Sequence, residues 1–213
     1  MKYFWHFVIS IGVLSLILFA FFGASLSFGN KVTYTDQNLP TEPSITFIDP
    51  ALGSETAKVT IVLYGDYECD ACAELDQELI NLVLNDFPND VRLVWKDMPN
   101  TSQHAEALNA AIAARCAKDQ GKFWEYHALL IANHNSLNPA LYTTLAESLE
   151  LKTNTFASCY RNKTPAPIIQ QSYEEGVALG VTATPTLFMN GSRYTGTLDS
   201  GALKAMIRQI LAQ

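Results

Sequence analysis

Cys69 and Cys72, separated only by Asp70 and Ala71, are the residues whose type and spacing point most directly to chemistry. Thiols this close can form a small disulfide ring. Such a ring takes up or gives back two electrons when a thiolate attacks one of its sulfurs and passes through a mixed disulfide. Two other uses of the spacing compete. A Cys-X-X-Cys is also half of a zinc site. Zinc ribbons normally carry a second such pair, whereas here Cys116 and Cys159 stand alone and far apart. A purely structural disulfide is the other alternative, but a two-residue gap gives a strained, reducible bond more often than a staple. The redox reading leads. The remaining chemistry-bearing residues add little to it. His104, His127 and His134 have no metal-ligand spacing; His104 reads as a helix-start residue and His127 as a packed one. Phe123, Trp124 and Tyr126 read as core and groove wall, not a cofactor box. With no glycine-rich phosphate loop and no nucleophile elbow, neither cofactor nor metal is expected.

The elements around the pair place it. Residues 58–64, Lys-Val-Thr-Ile-Val-Leu-Tyr, are a β-branched apolar run closed by Gly65-Asp66, which predicts a buried strand. After the cysteines, Leu75, Leu79, Leu82, Val83 and Phe87 recur at the spacing of one apolar helix face. The cysteines therefore stand where a strand ends and a helix begins. A helix start offers free N–H groups and a partial positive charge, and both favour a thiolate. Cys69, the more exposed, is expected to have the lowered pKa, with Cys72 one turn further in.

Residues 91–95 predict a second strand, stopped near Pro99. Helical patterns then follow one another: 104–118 with Leu108, Ile112 and Cys116 in register, 122–133, 139–149, 154–161 and 166–178. Gly121 reads as a C-terminal cap, and Asn138-Pro139 as a helix start. The sheet returns at 185–189. Asn190-Gly191 signals a hairpin into 192–195, and Asp199 caps a last helix carrying Leu203, Met206, Ile207, Ile210 and Leu211. The pattern is a sheet domain interrupted by a helical block.

The 213 residues, 48% hydrophobic and 16% charged, suit a globular chain with one large domain. Lys+Arg is 14 against Asp+Glu 21, a net charge of −7, which argues against a nucleic-acid grip. Residues 4–22 are apolar and uncharged, with Lys2 before them and Gly23-Ala24-Ser25-Leu26-Ser27 after. The run is long for a signal-peptide core and adequate for a membrane span, so an uncleaved signal anchor is expected, with a cleaved signal peptide as the alternative. Either one exports the rest of the chain into a space where disulfides persist. Residues 30–55 hold Pro, Asn and Asp without a sustained period and read as a linker.

Residues 61–72, Ile-Val-Leu-Tyr-Gly-Asp-Tyr-Glu-Cys-Asp-Ala-Cys, resemble the strand and active-site turn of the DsbA-like thiol–disulfide oxidoreductases. His104 and the run Gln120-Gly121-Lys122-Phe123-Trp124-Glu125-Tyr126-His127 resemble the helical insertion of the membrane-tethered bacterial branch. Gly180-Val181-Thr182-Ala183-Thr184-Pro185-Thr186 resembles its cis-proline loop. The likeness runs from about residue 48 to the C-terminus. It implies an α/β, thioredoxin-like fold interrupted by an all-helical insertion and preceded by a hydrophobic anchor. The expected divisions are 1–29 signal anchor or signal peptide, 30–55 linker, 56–99 and 179–213 thioredoxin-like domain, and 100–178 helical insertion.

By that resemblance Cys69 and Cys72 are catalytic, Pro185 is the cis proline, and Thr184 offers backbone groups to an extended substrate. Some family members carry a disulfide in the helical domain, which together with export implies a Cys116–Cys159 structural bond; two free buried thiols are the alternative. The family usually places a proline with an aromatic or a histidine between its cysteines, and here the pair is Asp70-Ala71. Asp70, with Glu68 and Asp66, is expected to raise the Cys69 pKa, giving a more stable disulfide and a less oxidising protein. The opposing expectation is that Asp70 complements the helix start and faces water. The implied activity is extracytoplasmic thiol–disulfide exchange that oxidises exported cysteine-containing proteins, with a quinone-linked membrane partner resetting the pair. A reductase or isomerase using the same site is the first alternative, and a non-catalytic tethered module that binds exported proteins or zinc is the second.

Overall fold

A computed structural model of the protein describes residues 39–195 and 199–213. The expected anchor at 4–22 lies outside the described residues. Among those described, no helix is long and apolar enough to cross a membrane.

Five strands form one mixed sheet: β1 (Ala51–Gly53), β2 (Val59–Gly65), β3 (Val91–Asp97), β4 (Thr186–Met189) and β5 (Ser192–Thr195), in the order β1-β3-β2-β4-β5. β2 is central, parallel to β3 and antiparallel to β4. Its apolar run is continuous because both faces are covered. Ile61 and Leu63 face the larger core, while Val62 and Tyr64 face a smaller one with Val94, Met98, Val181 and Phe188. The Asn190-Gly191 turn joins β4 to β5 with φ of +45° and +81°, the left-handed pair that a two-residue hairpin requires.

Helix α1 (Asp70–Asn81) starts at the cysteines and buries Leu75 and Leu79 against the larger core. The periodicity predicts one helical face as far as Phe87. Instead the chain widens into a π-helical turn over Leu82–Asp86, in which Phe87 N–H reaches back to Leu82 O. The turn keeps Leu82 and Val83 buried.

Between β3 and β4 come α2 (Ala107–Lys118), α3 (Phe123–Ala132), α4 (Pro139–Ser148), α5 (Thr153–Arg161) and α6 (Ala166–Ala178). Asn138 caps α4, its Oδ1 accepting from Ala140 N and Leu141 N. Cys116 of α2 and Cys159 of α5 are joined in a disulfide with a Cα–Cα distance of 5.8 Å. α6 covers the smaller core: a Cβ on Gly176 would fall 2.9 Å from the Met98 sulfur, so the absent side chain permits that approach. The last helix, α7 (Ser200–Leu211), is capped by Asp199 Oδ1 on Ala202 N and buries Leu203 and Ile207.

Two expectations are corrected here. The linker assigned to 30–55 ends in structure, because Ala51–Gly53 is an edge strand antiparallel to β3 and Pro50 O accepts from Trp95 N. Three residues are too few to show a period. Ionic contacts secure the approach to that strand. Glu175 accepts from Ser44 N, Lys96 Nζ lies 3.1 Å from both Asp49 and Glu175, and Arg115 donates to Ile48 O and Asp97. The helix expected over 104–118 begins only at Ala107, and the residues before it serve the site described next.

Candidate active site

β2 delivers Gly65-Asp66 to the end of the sheet, and there Asp66 organises the turn into α1. Its side chain is fully buried. Oδ1 accepts from Glu68 N at 2.8 Å, and Oδ2 accepts from Asn100 N at 2.7 Å and from His104 Nδ1 at 2.9 Å. A buried carboxylate needs such donors, and in meeting them it ties the cysteine turn to the segment entering α2. Glu68 adds a second tie by accepting from Glu106 N, and Glu106 accepts from Tyr142 OH.

Cys69 is the N-cap of α1, in extended conformation, and its Sγ accepts from Cys72 N at 3.2 Å. The sulfur thus takes one of the donors that a helix start leaves free. Cys69 is half-buried and Cys72 fully buried, and neither is joined in a disulfide. The Thr184–Pro185 peptide bond is cis, and Thr184 O lies 3.6 Å from Cys69 Sγ.

The two thiols diverge in acidity. The hydrogen bond from the Cys72 thiol, helped by Cys72 N–H, lowers the Cys69 pKa to about 6, against burial and the Asp66 charge. Cys72 is pushed far up by burial, by its own bond to Cys69 and by the charge there. Near neutral pH the pair is therefore one thiolate in front and one thiol behind. The lowered value is the one expected of a cysteine at a helix start, and the opposing expectation, that the acidic neighbours raise it, is not met. Asp66 does act in the expected direction and is outweighed. Asp70 is exposed, and its carboxylate pairs with His134 Nε2 at 3.0 Å.

Beside the pair runs a groove of about 630 Å³ whose lining includes Ala71, Leu75 and Pro185, with Glu74, Glu78 and Asp199 supplying charge. Behind it, His127 is buried as a packed residue should be, yet it is also hydrogen-bonded. Nδ1 meets Tyr67 OH at 2.8 Å and Nε2 lies 3.0 Å from Asp76, inside a cage of Tyr67, Trp95, Phe123 and Trp124. The sequence alone offers Asp66 as a strand closure and a charge near Cys69, and His104 as a helix start within the family resemblance; it gives neither their contact nor a role for Asp76. An available signal for Asp76 was its place four residues after Cys72 and three before Leu79, on the face that buries both. Among the described residues, no three His, Cys, Asp or Glu side chains converge as a metal site would.

A paired thiolate and thiol at a helix start, beside a cis-proline loop on a sheet with helices inserted between its strands, define the class: the DsbA-like thiol–disulfide oxidoreductases. A family model described as Thioredoxin matches residues 47–209, and the chain belongs to that family. Oxidised BdbD from Bacillus subtilis superposes with a TM-score of 0.72 at 25% identity, over 81% of this chain and 97% of that one. Wolbachia pipientis alpha-DsbA1 shares the fold with a TM-score of 0.68 at 18% identity, over 77% and 91%. In sequence, the Na(+)/H(+) antiporter NhaA 1 of Salinispora arenicola is 37% identical over 177 residues, which are 83% of this chain and 26% of that protein. The chain thus spans about a quarter of the length of the curated relatives it matches.

Proposed function

We propose that the protein exchanges disulfides with exported cysteine-containing proteins and acts chiefly as an oxidant, through the Cys69–Cys72 disulfide. The observation that carries this reading is the place of Cys69 Sγ at the N-cap of α1, accepting from Cys72 N and 3.6 Å from Thr184 O of the cis-proline loop, where its pKa is lowered to about 6. A stabilised thiolate is a good leaving group and stabilises the reduced form, so the corresponding disulfide is the more readily reduced. In the oxidising direction a substrate thiolate attacks Cys69 Sγ and the Cys69–Cys72 bond breaks. A second substrate thiolate then attacks the substrate sulfur of the mixed disulfide, releasing Cys69 as thiolate. The substrate leaves with a new disulfide, and Cys72, too basic to stay ionised, takes a proton. Thr184 and Pro185 line the approach and would hold an extended substrate strand.

In this reading residues 4–22 tether the exported domain to the membrane as an uncleaved anchor, with secretion after cleavage as the alternative. A quinone-linked membrane partner resets the disulfide. The antiporter relatives share only the matched portion, so transport forms no part of the proposal.

The test is an equilibrium titration of the purified full chain through glutathione redox buffers. The Cys69–Cys72 state is read by thiol alkylation and peptide mapping, which keeps Cys116 and Cys159 separate. Half-reduction in predominantly oxidised glutathione buffers is expected. A disulfide that resists glutathione makes the protein a reductase or isomerase. A pair that never forms a disulfide returns zinc or plain binding to the front.

A further inference from the structure

The dipeptide between the cysteines supplies no cation to the Cys69 thiolate, yet the turn around it is crowded with negative charge. The buried Asp66 lies three residues before Cys69, and Glu68 is its immediate neighbour. The basic group set into this cluster is His104, from the segment entering α2. Asp66 Oδ2 sits 2.9 Å from its Nδ1, and its ring is 26% exposed. A carboxylate only accepts hydrogen bonds, so it keeps the hydrogen on Nδ1 and leaves Nε2 as the atom that gains or loses a proton. The partly exposed ring can trade that proton with water.

We propose that His104 is proton-coupled to the cysteine pair, so that reduction of the Cys69–Cys72 disulfide draws part of the second proton onto His104 and reoxidation releases it. The inference rests on the exchange activity proposed above. A substrate dithiol gives up two electrons and two protons and leaves as a disulfide. The Cys69–Cys72 bond breaks, one proton goes to Cys72 Sγ, the other is divided between His104 Nε2 and solvent, and Cys69 remains a thiolate. The charges acting on the ring come from the cysteine turn: Asp66, Cys69 and Glu68 all hold its proton more tightly, against the opposing effect of burial, and the net pKa is raised. Asp66 and Glu68 are present in both redox states, but the Cys69 charge exists only in the reduced one. Coupling is reciprocal: if the thiolate strengthens proton binding at His104, protonated His104 stabilises the thiolate by the same amount. His104 would thus supply from another segment the cation that Asp70-Ala71 lacks.

The experiment follows the His104 ring by NMR through pH in the full chain, reduced with dithiothreitol and then oxidised chemically. The signal is assigned by its loss in His104→Asn, which keeps a donor for Asp66. The expected midpoint is higher in the reduced protein by at least about half a pH unit, a threefold change in proton affinity. In His104→Asn the thiolate absorbance midpoint rises by a similar amount, while His104→Lys, a cation that does not titrate near neutrality, brings it back down. Identical His104 midpoints in both redox states, or a thiolate midpoint unmoved in a folded His104→Asn protein, would overturn the proposal. Both redox states are set chemically, so a failure to exchange with protein substrates would sink the proposed function and leave this test readable.

Discussion

The molecule holds two pairs of cysteines, and they have opposite fates. Cys116 and Cys159 sit within α2 and α5, packed in or against the larger core, and are bonded across a sequence separation of 43. Cys69 and Cys72 open a helix at the end of a central strand and carry free thiols. The difference is one of position, since the sulfur chemistry is the same. A cysteine inside a helix meets N–H groups already committed to the helix ladder and cannot hold a thiolate cheaply. A cysteine at the N-cap meets uncommitted ones. Cys69, held by the Cys72 thiol and also accepting from Cys72 N, shows this, and its pKa falls to about 6. One pair restrains the chain and the other is poised to react.

The largest expected effect separates the pairs outright. Cys69→Ser should bring exchange with a reduced peptide down to the uncatalysed background. The double change Cys116→Ala with Cys159→Ala should leave the rate near that of the wild type. Exchange surviving in Cys69→Ser would break the comparison. The double change should act on stability instead. Losing a cross-link over that separation costs about 3–4 kcal/mol in the chain-entropy model, read as a lower urea midpoint. A midpoint unchanged after the bond is removed would mean it does not restrain the fold.

The third effect depends on pH and concerns the reactive pair alone. Alkylation of reduced Cys69 should rise through a midpoint near pH 6, while Cys72, raised by burial, stays unreactive in the folded protein. Folding lowers the Cys69 pKa from its ordinary value near 9. The resulting stabilisation of the reduced form is fully present above about pH 9 and is lost as pH falls through about 6. The gap in melting temperature between the reduced protein and its Cys69→Ala variant should therefore narrow from pH 8 to pH 5. A gap that widens on acidification would contradict the assignment.

The smallest effect sharpens why the front pair is acidic. Asp70 is exposed and paired with His134, so Asp70→Ala should move the thiolate midpoint by only a few tenths of a pH unit. A large downward shift would restore Asp70 as the dominant influence on the sulfur.

Much of this was legible in the residues. The apolar run into Gly65-Asp66, the helical spacing after Cys72, and Asn190-Gly191 identified β2, α1 and the β4–β5 hairpin, because each signal is local. β1 was not legible: three residues have no period, and the strand exists only because β3 offers it an edge. The π turn at Leu82–Asp86 was equally hidden, since a helical face and a widened turn place nearly the same residues inward.

The sequence by itself determined that two close thiols would stand at a helix start, because strand, turn and helix follow from neighbouring residues. Tertiary structure alone decided how acidic the front thiol is and which charges count. Asp70, next to Cys69 in the chain, turns to His134, while Asp66 is drawn into the interior by donors from residues 100 and 104. Electrostatic influence depends on distance and solvent exposure in space. Those quantities are set when the segment entering α2 packs against the cysteine turn.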